Sequence, residues 1–101
     1  MLIYNVTCNV EFGIEENWLQ WMKKEHIPKV LGTGKFFDHK ILKLLGEHED
    51  ATGTTYAIQY FSKNIGLIDQ YLNEDAPTLR KDHTDMFGTR FVTFRTLLEE
   101  V

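Results

Sequence analysis

What the sequence lacks excludes several kinds of protein. A single cysteine, Cys8, can form neither an intrachain disulfide nor a cysteine metal cluster. The 11 Lys and Arg against 15 Asp and Glu give a net charge of −4, which argues against a nucleic-acid partner. No apolar run approaches the roughly 20 residues of a membrane span, and the first residues do not resemble a signal peptide. The sequence therefore predicts a cytoplasmic protein without membrane or nucleic-acid partners.

The composition is otherwise that of a small globular domain. The chain has 101 residues, of which 43% are hydrophobic and 13% aromatic, with two prolines and seven glycines. This length predicts one domain covering residues 1–101. Because a core of this size leaves much surface exposed, a partner subunit would add stability.

Hydrophobic periodicity predicts four strands and two helical regions. The predicted strands cover residues 2–12, 36–47, 54–62 and 90–98, and the predicted helical regions cover 15–31 and 64–87. Within the helices we expect a kink at Pro28, a terminus with positive φ at Gly32, and a new helix start with Asp75 as N-cap.

The order strand, helix, strand, strand, helix, strand predicts a split βαβ fold of the α+β class. Such a fold is a four-stranded antiparallel sheet with both helices on one face. The other face is open, and it is expected to carry apolar residues such as Phe91 and Leu97 or their neighbours. Pairing two open faces across a two-fold axis would bury them. A homodimer is therefore expected, formed through the open sheet face.

Several segments resemble an uncharacterised bacterial family of domains of unknown function. The resemblance covers nearly the whole chain and rests on these residues: Ile3-Tyr4-Asn5-Val6-Thr7, Trp21-Met22-Lys23-Lys24-Glu25-His26-Ile27-Pro28, Thr33-Gly34-Lys35-Phe36, Gln59-Tyr60, Asp75-Ala76-Pro77-Thr78-Leu79-Arg80 and Phe94-Arg95-Thr96. That family resembles the ferredoxin-like, dimeric α+β barrel superfamily, which includes cofactor-independent monooxygenases, haem-degrading enzymes and proteins without known activity. The resemblance implies the fold and the dimer and supplies no catalytic residues.

Two histidines occupy the apolar faces of the predicted helices. His26 lies one turn after Met22, and His83 lies between Leu79 and Met86. His26 can serve as a base or ligand donor in a pocket between helix and sheet, or as a core residue whose ring bonds to the backbone, and His83 can share that cavity as a ligand donor or have a structural role. For His26, that backbone partner would be a carbonyl freed by the proline. No third ligand with suitable spacing accompanies the pair, so no metal site is predicted.

Other candidate site residues lie on the strands. Arg95 interrupts an apolar strand. If it faces the dimer interface with Asn5, Thr7 and Gln59, it holds an anionic ligand or forms an ion pair there. Tyr4 and Tyr60, like Tyr56, are strand aromatics that either line a pocket or pack in the core.

Three functional hypotheses remain open at this stage. The first is a homodimeric protein that binds a small apolar or aromatic molecule, or an accessory protein, with no cofactor. The second is a cofactor-independent enzyme of the monooxygenase or isomerase type, with His26 as its base. The third is haem binding through His26 or His83. The sequence does not decide whether the chain is an enzyme, because one fold supports many functions.

Overall fold

A computed structural model describes residues 1–101. The sheet contains β1 (Leu2–Glu11), β2 (Asp38–Lys43), β3 (Gly53–Ser62) and β4 (Phe91–Glu99). Its strand order is β2-β3-β1-β4, and all neighbouring strands are antiparallel. The helical segments are α1 (Glu15–Trp21), α2 (Ile27–Gly32), α3 (Ile65–Gln70) and α4 (Ala76–Phe87). This is the predicted βαββαβ order, although β2 is shorter at both ends than the predicted 36–47.

Strand β1 lies in the middle of the sheet and defines the core face. Its alternating residues Tyr4, Cys8 and Val10 are buried, as the period of two predicts. In β3, Tyr60 lies opposite Tyr4 and Tyr56 lies opposite Cys8, so both tyrosines enter the same core. The helices cover this face, and no helix is long and apolar enough to cross a membrane.

Each helical region contains a π-helical turn directly before a proline-containing segment. The first π turn, Met22–His26, joins α1 to α2, and the second, Tyr71–Asp75, joins α3 to α4. Pro28 and Pro77 are each the second residue of the following α-helical segment. Because proline has no N–H and crowds the carbonyl four residues before it, a local change to wider π pairing accommodates it. A π turn is therefore the local change of the helix next to Pro28, where a kink was expected.

Two expected helix ends are wrong in detail. Asp75 precedes α4, but its side chain forms no cap hydrogen bond and instead accepts a bond from Lys35 Nζ at 3.1 Å. Gly32 remains inside α2, and the positive φ of 79° falls at Gly34 in the following turn. Gly88 ends α4 with φ of 61°, a positive angle that glycine adopts readily because it has no Cβ atom.

The open face of β4 carries the neighbours of Phe91 and Leu97, which is the second alternative that the sequence pattern allowed. Phe91 lies opposite Val10 and Leu97 lies opposite Tyr4, so both point to the helix side of the sheet. Their neighbours Val92, Phe94 and Leu98 point to the open face, and Phe94 is 62% exposed there. The open face is therefore apolar along β4, but through a different set of residues.

A glycine at the start of β3 offers a test of the register. Gly53 lies opposite Glu11, and a Cβ atom at this position would overlap the carbonyl of Val10. We expect Gly53→Ala to lower the free energy of unfolding by about 2 kcal/mol, because backbone atoms must move to relieve the overlap. Gly32→Ala is the matched control, since nothing lies within 4 Å of its Cβ position. It should raise the stability by about 0.5–1 kcal/mol. Urea unfolding curves measure both effects, and equal stability of the two variants would contradict this register.

Candidate functional site

A pocket between the helices and the strands β1, β3 and β4 brings all the predicted site residues together. It is lined by Tyr4, Tyr60, His26, His83 and Arg95, together with mostly apolar side chains. Its enclosed volume is about 20 Å³, which is room for about one water molecule. The sequence pattern places these residues on separate elements, and the βαββαβ topology makes them neighbours.

The first π turn positions His26. It is the last residue of that turn, and its ring centroid lies 5.0 Å from that of Trp21 and 5.5 Å from that of His83. Its Nδ1 atom is buried and has no hydrogen-bond partner in the chain. This atom therefore does not bond to a carbonyl freed by Pro28, which was the structural interpretation of the residue. A buried polar atom without a partner is uncommon in proteins.

His83 on α4 is held on two sides. Its Nε2 accepts a hydrogen bond from the indole Nε1 of Trp18 at 2.9 Å, so the proton of the neutral ring lies on Nδ1. Its ring stacks on Phe91 at 3.7 Å between centroids, with an angle of 4° between the planes. Because Nε2 already accepts this hydrogen bond, His83 can bind a haem iron through Nε2 only if the bond to Trp18 breaks.

Burial keeps both histidines uncharged at neutral pH. It lowers the pKa of His26 to about 4, with Asp82 opposing the shift and Lys29 and Arg95 adding to it. Burial likewise lowers the pKa of His83 to about 3, and the nearby His26 and Arg95 contribute in the same direction. A base with so low a pKa removes protons poorly at neutral pH, because general-base catalysis is most efficient when the pKa is near the working pH.

Cys8, Tyr60 and Tyr71 in the pocket are also uncharged at neutral pH. Burial raises the pKa of Cys8 to about 12, and only Arg95 opposes it, so Cys8 is not a reactive thiolate. Burial also raises the pKa of Tyr60 and of Tyr71 well above the usual range. These phenols are therefore hydrogen-bond donors, and the positive charges at the pocket come from arginines.

Arg95 lies on the helix side of the sheet and not on the open face, through which the dimer was expected to form. Its position opposite Val6 in β1 puts it on the side of the sheet that lines the pocket. Its Nη1 donates to Thr93 Oγ1 at 3.3 Å. Asn5 and Thr7, its expected neighbours, point to the open face, where the Asn5 amide donates to the hydroxyls of Thr7 and Thr96. The expected grouping of Arg95 with Asn5, Thr7 and Gln59 is wrong.

Among the other lining residues, sequence analysis placed Met22 on the apolar helix face but did not single out Tyr71 or Arg80. Met22 and Tyr71 are the first residues of the two π turns, and Tyr71 lies three residues after the buried Ile68. That spacing places Tyr71 on the apolar face of the helix, so the sequence pattern could have identified it as a buried residue. Arg80 is an exposed residue next to Leu79 on α4, and nothing in the pattern distinguishes it from a solvated surface arginine.

The polar groups of the pocket do not form a metal site. No group of three or more His, Cys, Asp or Glu side chains is positioned to hold a metal ion. The two histidines are adjacent, but one has its Nε2 bonded to Trp18, and no carboxylate lines the pocket. The arrangement is suited to hydrogen bonding and charge pairing with an organic ligand.

One known protein family matches the chain over its full length. A family model for a domain of unknown function, DUF4286, matches residues 1–101. The chain belongs to the DUF4286 family. No curated protein matches its sequence significantly. The resemblance to an uncharacterised family is thereby confirmed, and DUF4286 membership assigns no activity to any of the pocket residues.

Solved structures similar to this DUF4286 domain share its fold. An ethyl tert-butyl ether d (ethd) family protein from Bacillus halodurans C-125 is 13% identical, with a TM-score of 0.68 and 100% of each chain covered. A dimeric ferredoxin-like protein from an uncultured marine organism is 13% identical, with a TM-score of 0.66, covering 99% of this chain and 97% of that one.

A third similar structure comes from Deinococcus radiodurans and is described as a candidate antibiotic biosynthesis monooxygenase. It is 17% identical, with a TM-score of 0.59, and the match covers 100% of this chain and 93% of that one. At such low identity these likenesses show the fold alone. The ferredoxin-like α+β architecture predicted from the sequence is confirmed.

Proposed function

We propose that residues 1–101 act as a single cytoplasmic domain that forms a homodimer and binds a small molecule in the pocket of each subunit. The observation that carries the proposal is that His26 lines the pocket and that its buried Nδ1 atom has no hydrogen-bond partner in the chain. Leaving a buried polar atom unpaired costs about 1–3 kcal/mol, and a bound ligand relieves this cost. No nucleic-acid or membrane partner is part of the proposal.

The shape of the pocket is consistent with a ligand that enters by moving side chains at the surface. The enclosed volume of about 20 Å³ accepts about one water as it stands. Two of its lining residues, Arg80 and Arg95, are exposed. Rotamer changes of this kind are common when a ligand or partner binds, and they need no movement of the backbone. Aromatic lining residues then provide contacts for an apolar or aromatic ligand.

The open sheet face supports the homodimer. Val92 and Phe94 are 67% and 62% exposed, and Leu98 and Leu42 are also exposed large apolar residues that point to this face. Such a surface is costly in water and typical of an interface between subunits. The marine protein of similar fold is described as dimeric, which is consistent with this mode of assembly.

A second candidate function is a cofactor-independent monooxygenase or isomerase with His26 as base. Two observations favour it: the neutral ring of His26 lines the pocket, and one protein of similar fold is described as a candidate monooxygenase. The low pKa of about 4 argues for binding over catalysis, because such a ring holds a proton weakly. Loss of an activity in His26→Gln without loss of folding would favour the enzyme.

Binding can be tested by nuclear magnetic resonance on ¹⁵N-labelled protein titrated with small neutral aromatic compounds such as benzamide. We expect amide shifts concentrated in the segments 4–8, 22–26, 58–60 and 79–83, which contain most of the pocket-lining residues. The matched variant Leu45→Asp, in an exposed loop away from the pocket, should give the same shifts. Shifts confined to the open sheet face, or no shifts with any compound, would contradict the proposed site.

A further inference from the structure

Two arginines face the pocket without an acidic partner. Arg80 and Arg95 both line it, and neither is within ion-pair distance of a carboxylate. Arg80 Nη2 donates to the hydroxyl of Tyr4 at 3.3 Å, and Arg95 bonds to Thr93. We propose that this pair binds the carboxylate of a small organic acid whose apolar part lies inside the pocket, an inference that rests on the proposed function.

The carboxylates near the pocket already have other partners. Asp82 lies 4.0 Å from Lys29 Nζ, and Asp75 accepts a bond from Lys35 Nζ at 3.1 Å. No aspartate or glutamate lines the pocket itself. The two arginines therefore have no acidic partner in the pocket, in a chain whose net charge is −4. A bound anion would balance their positive charge.

The charge of each arginine acts on groups inside the pocket. Burial, with Tyr4 adding to it, raises the pKa of Tyr71, and Arg80 and Arg95 both oppose that rise. Arg95 also opposes the raised pKa of Cys8 and adds to the lowered pKa of His26. Arg95 thus acts on all three side chains, and Arg80 acts on Tyr71, where Asp75 has a smaller, opposite effect.

The chemistry of the remaining lining residues favours an organic carboxylate over an inorganic anion. The interior offers neutral imidazole and phenol groups and apolar side chains such as Met22, Ile58 and Leu79. An inorganic anion has no apolar part to place there. A carboxylate fits the planar, forked donor geometry of arginine, and its hydrocarbon part is removed from water by the aromatic wall.

The test compares acids with their uncharged amides of the same shape. Acetate, isobutyrate and benzoate are titrated against acetamide, isobutyramide and benzamide at pH 7.5, with binding followed by isothermal titration calorimetry and ¹⁵N amide shifts. The series of sizes allows for the small enclosed volume. The variants are Arg80→Gln and Arg95→Gln. The charge-matched control is Arg90→Gln, because Arg90 bonds to Glu11 at 3.1 Å outside the pocket.

We expect at least one acid to bind about tenfold or more tightly than its amide, since a charge-assisted bond contributes about 1.5–3 kcal/mol. Arg80→Gln and Arg95→Gln should each remove most of that advantage and leave the amide affinity unchanged, and Arg90→Gln should change neither. Equal binding of acid and amide, with pocket shifts, would overturn the carboxylate assignment while leaving the binding pocket in place. Binding of no compound up to about 10 mM would overturn both.

Discussion

The free energy of unfolding should fall by about 4 kcal/mol when the pH is lowered from about 8 to about 5, roughly half from each of His26 and His83. Their pKa values in the folded protein are about 4 and about 3, against 6.5 for an exposed histidine. Between these values the unfolded chain takes up protons that the folded chain does not. Protonation therefore favours unfolding, and the stability is lost as the pH falls below about 6.5.

Most of the charged groups around His26 also disfavour its protonation. Lys29 and Arg95 disfavour a proton on His26, and only Asp82 favours one, while burial remains the largest cause. Glu15 does not contribute to this pH dependence above about pH 5. Hydrogen bonds from Tyr56 and Thr54 hold the pKa of its carboxyl below the usual value of 4.5. Its contribution is lost only at lower pH, as the carboxyl becomes protonated.

Urea unfolding at fixed protein concentration, repeated from pH 8 to pH 5, measures the effect. His26→Gln should remove about half of the pH dependence, because glutamine does not titrate. His83→Gln should remove the other half, and its side-chain oxygen can still accept the bond from Trp18. A wild-type stability that stays constant over this range would show that the rings are not buried in the neutral form.

Phe94→Asp should weaken the homodimer about 1000-fold. Phe94 is exposed on the open face of β4, and a central aromatic residue of an interface typically contributes about 2 kcal/mol or more. In a two-fold symmetric dimer the change occurs twice, which gives about 4 kcal/mol in total. Sedimentation equilibrium across a range of concentrations measures the dissociation constant.

The control for this variant is Leu45→Asp, the same kind of change at a residue that is 81% exposed in the loop after β2. It should leave the dimer unchanged. A change of similar size in both variants would show that the effect is not specific to the sheet face. Equal dimerisation of Phe94→Asp and the wild type would exclude β4 from the interface.

The sequence predicted the fold because its patterns are local and agree with one another. The alternation in β1, from Tyr4 to Val10, fixes one buried face, and the histidine spacing fixes the buried face of each helix. Once the order βαββαβ is accepted, His26 and His83 must cover the same sheet face. Their ring separation of 5.5 Å is a consequence of that topology.

The sequence did not show in the same way which face of β4 points to the helices. Both alternating sets in this strand contain large apolar residues, Phe91 and Leu97 in one and Val92 and Phe94 in the other. Alternation therefore groups the residues correctly but does not say which set faces the helices. The pairing of Val6 with Arg95 decides it, and that pairing depends on contacts far apart in the sequence. The expected position of Arg95 was wrong for this reason.

The sequence also did not predict two features of the pocket. These are the hydrogen bond between Trp18 and His83 and the position of Arg80 in the pocket lining. The bond joins residues 65 positions apart and depends on the orientation of two side chains. Arg80 follows a buried leucine on a helix, a common place for a solvated arginine, and only the packed structure shows that it lines the pocket. Site residues at the edge of an apolar face carry no signal of their own in a single sequence.

Native mass spectrometry of gently purified protein, followed by the same sample after denaturation, tests the central claim most directly. We expect a mass of two chains plus a small increment that disappears on denaturation, and the increment should correspond to an organic acid. A monomer without added mass, at concentrations where sedimentation also shows a single chain, would contradict both the homodimer and the occupied pocket.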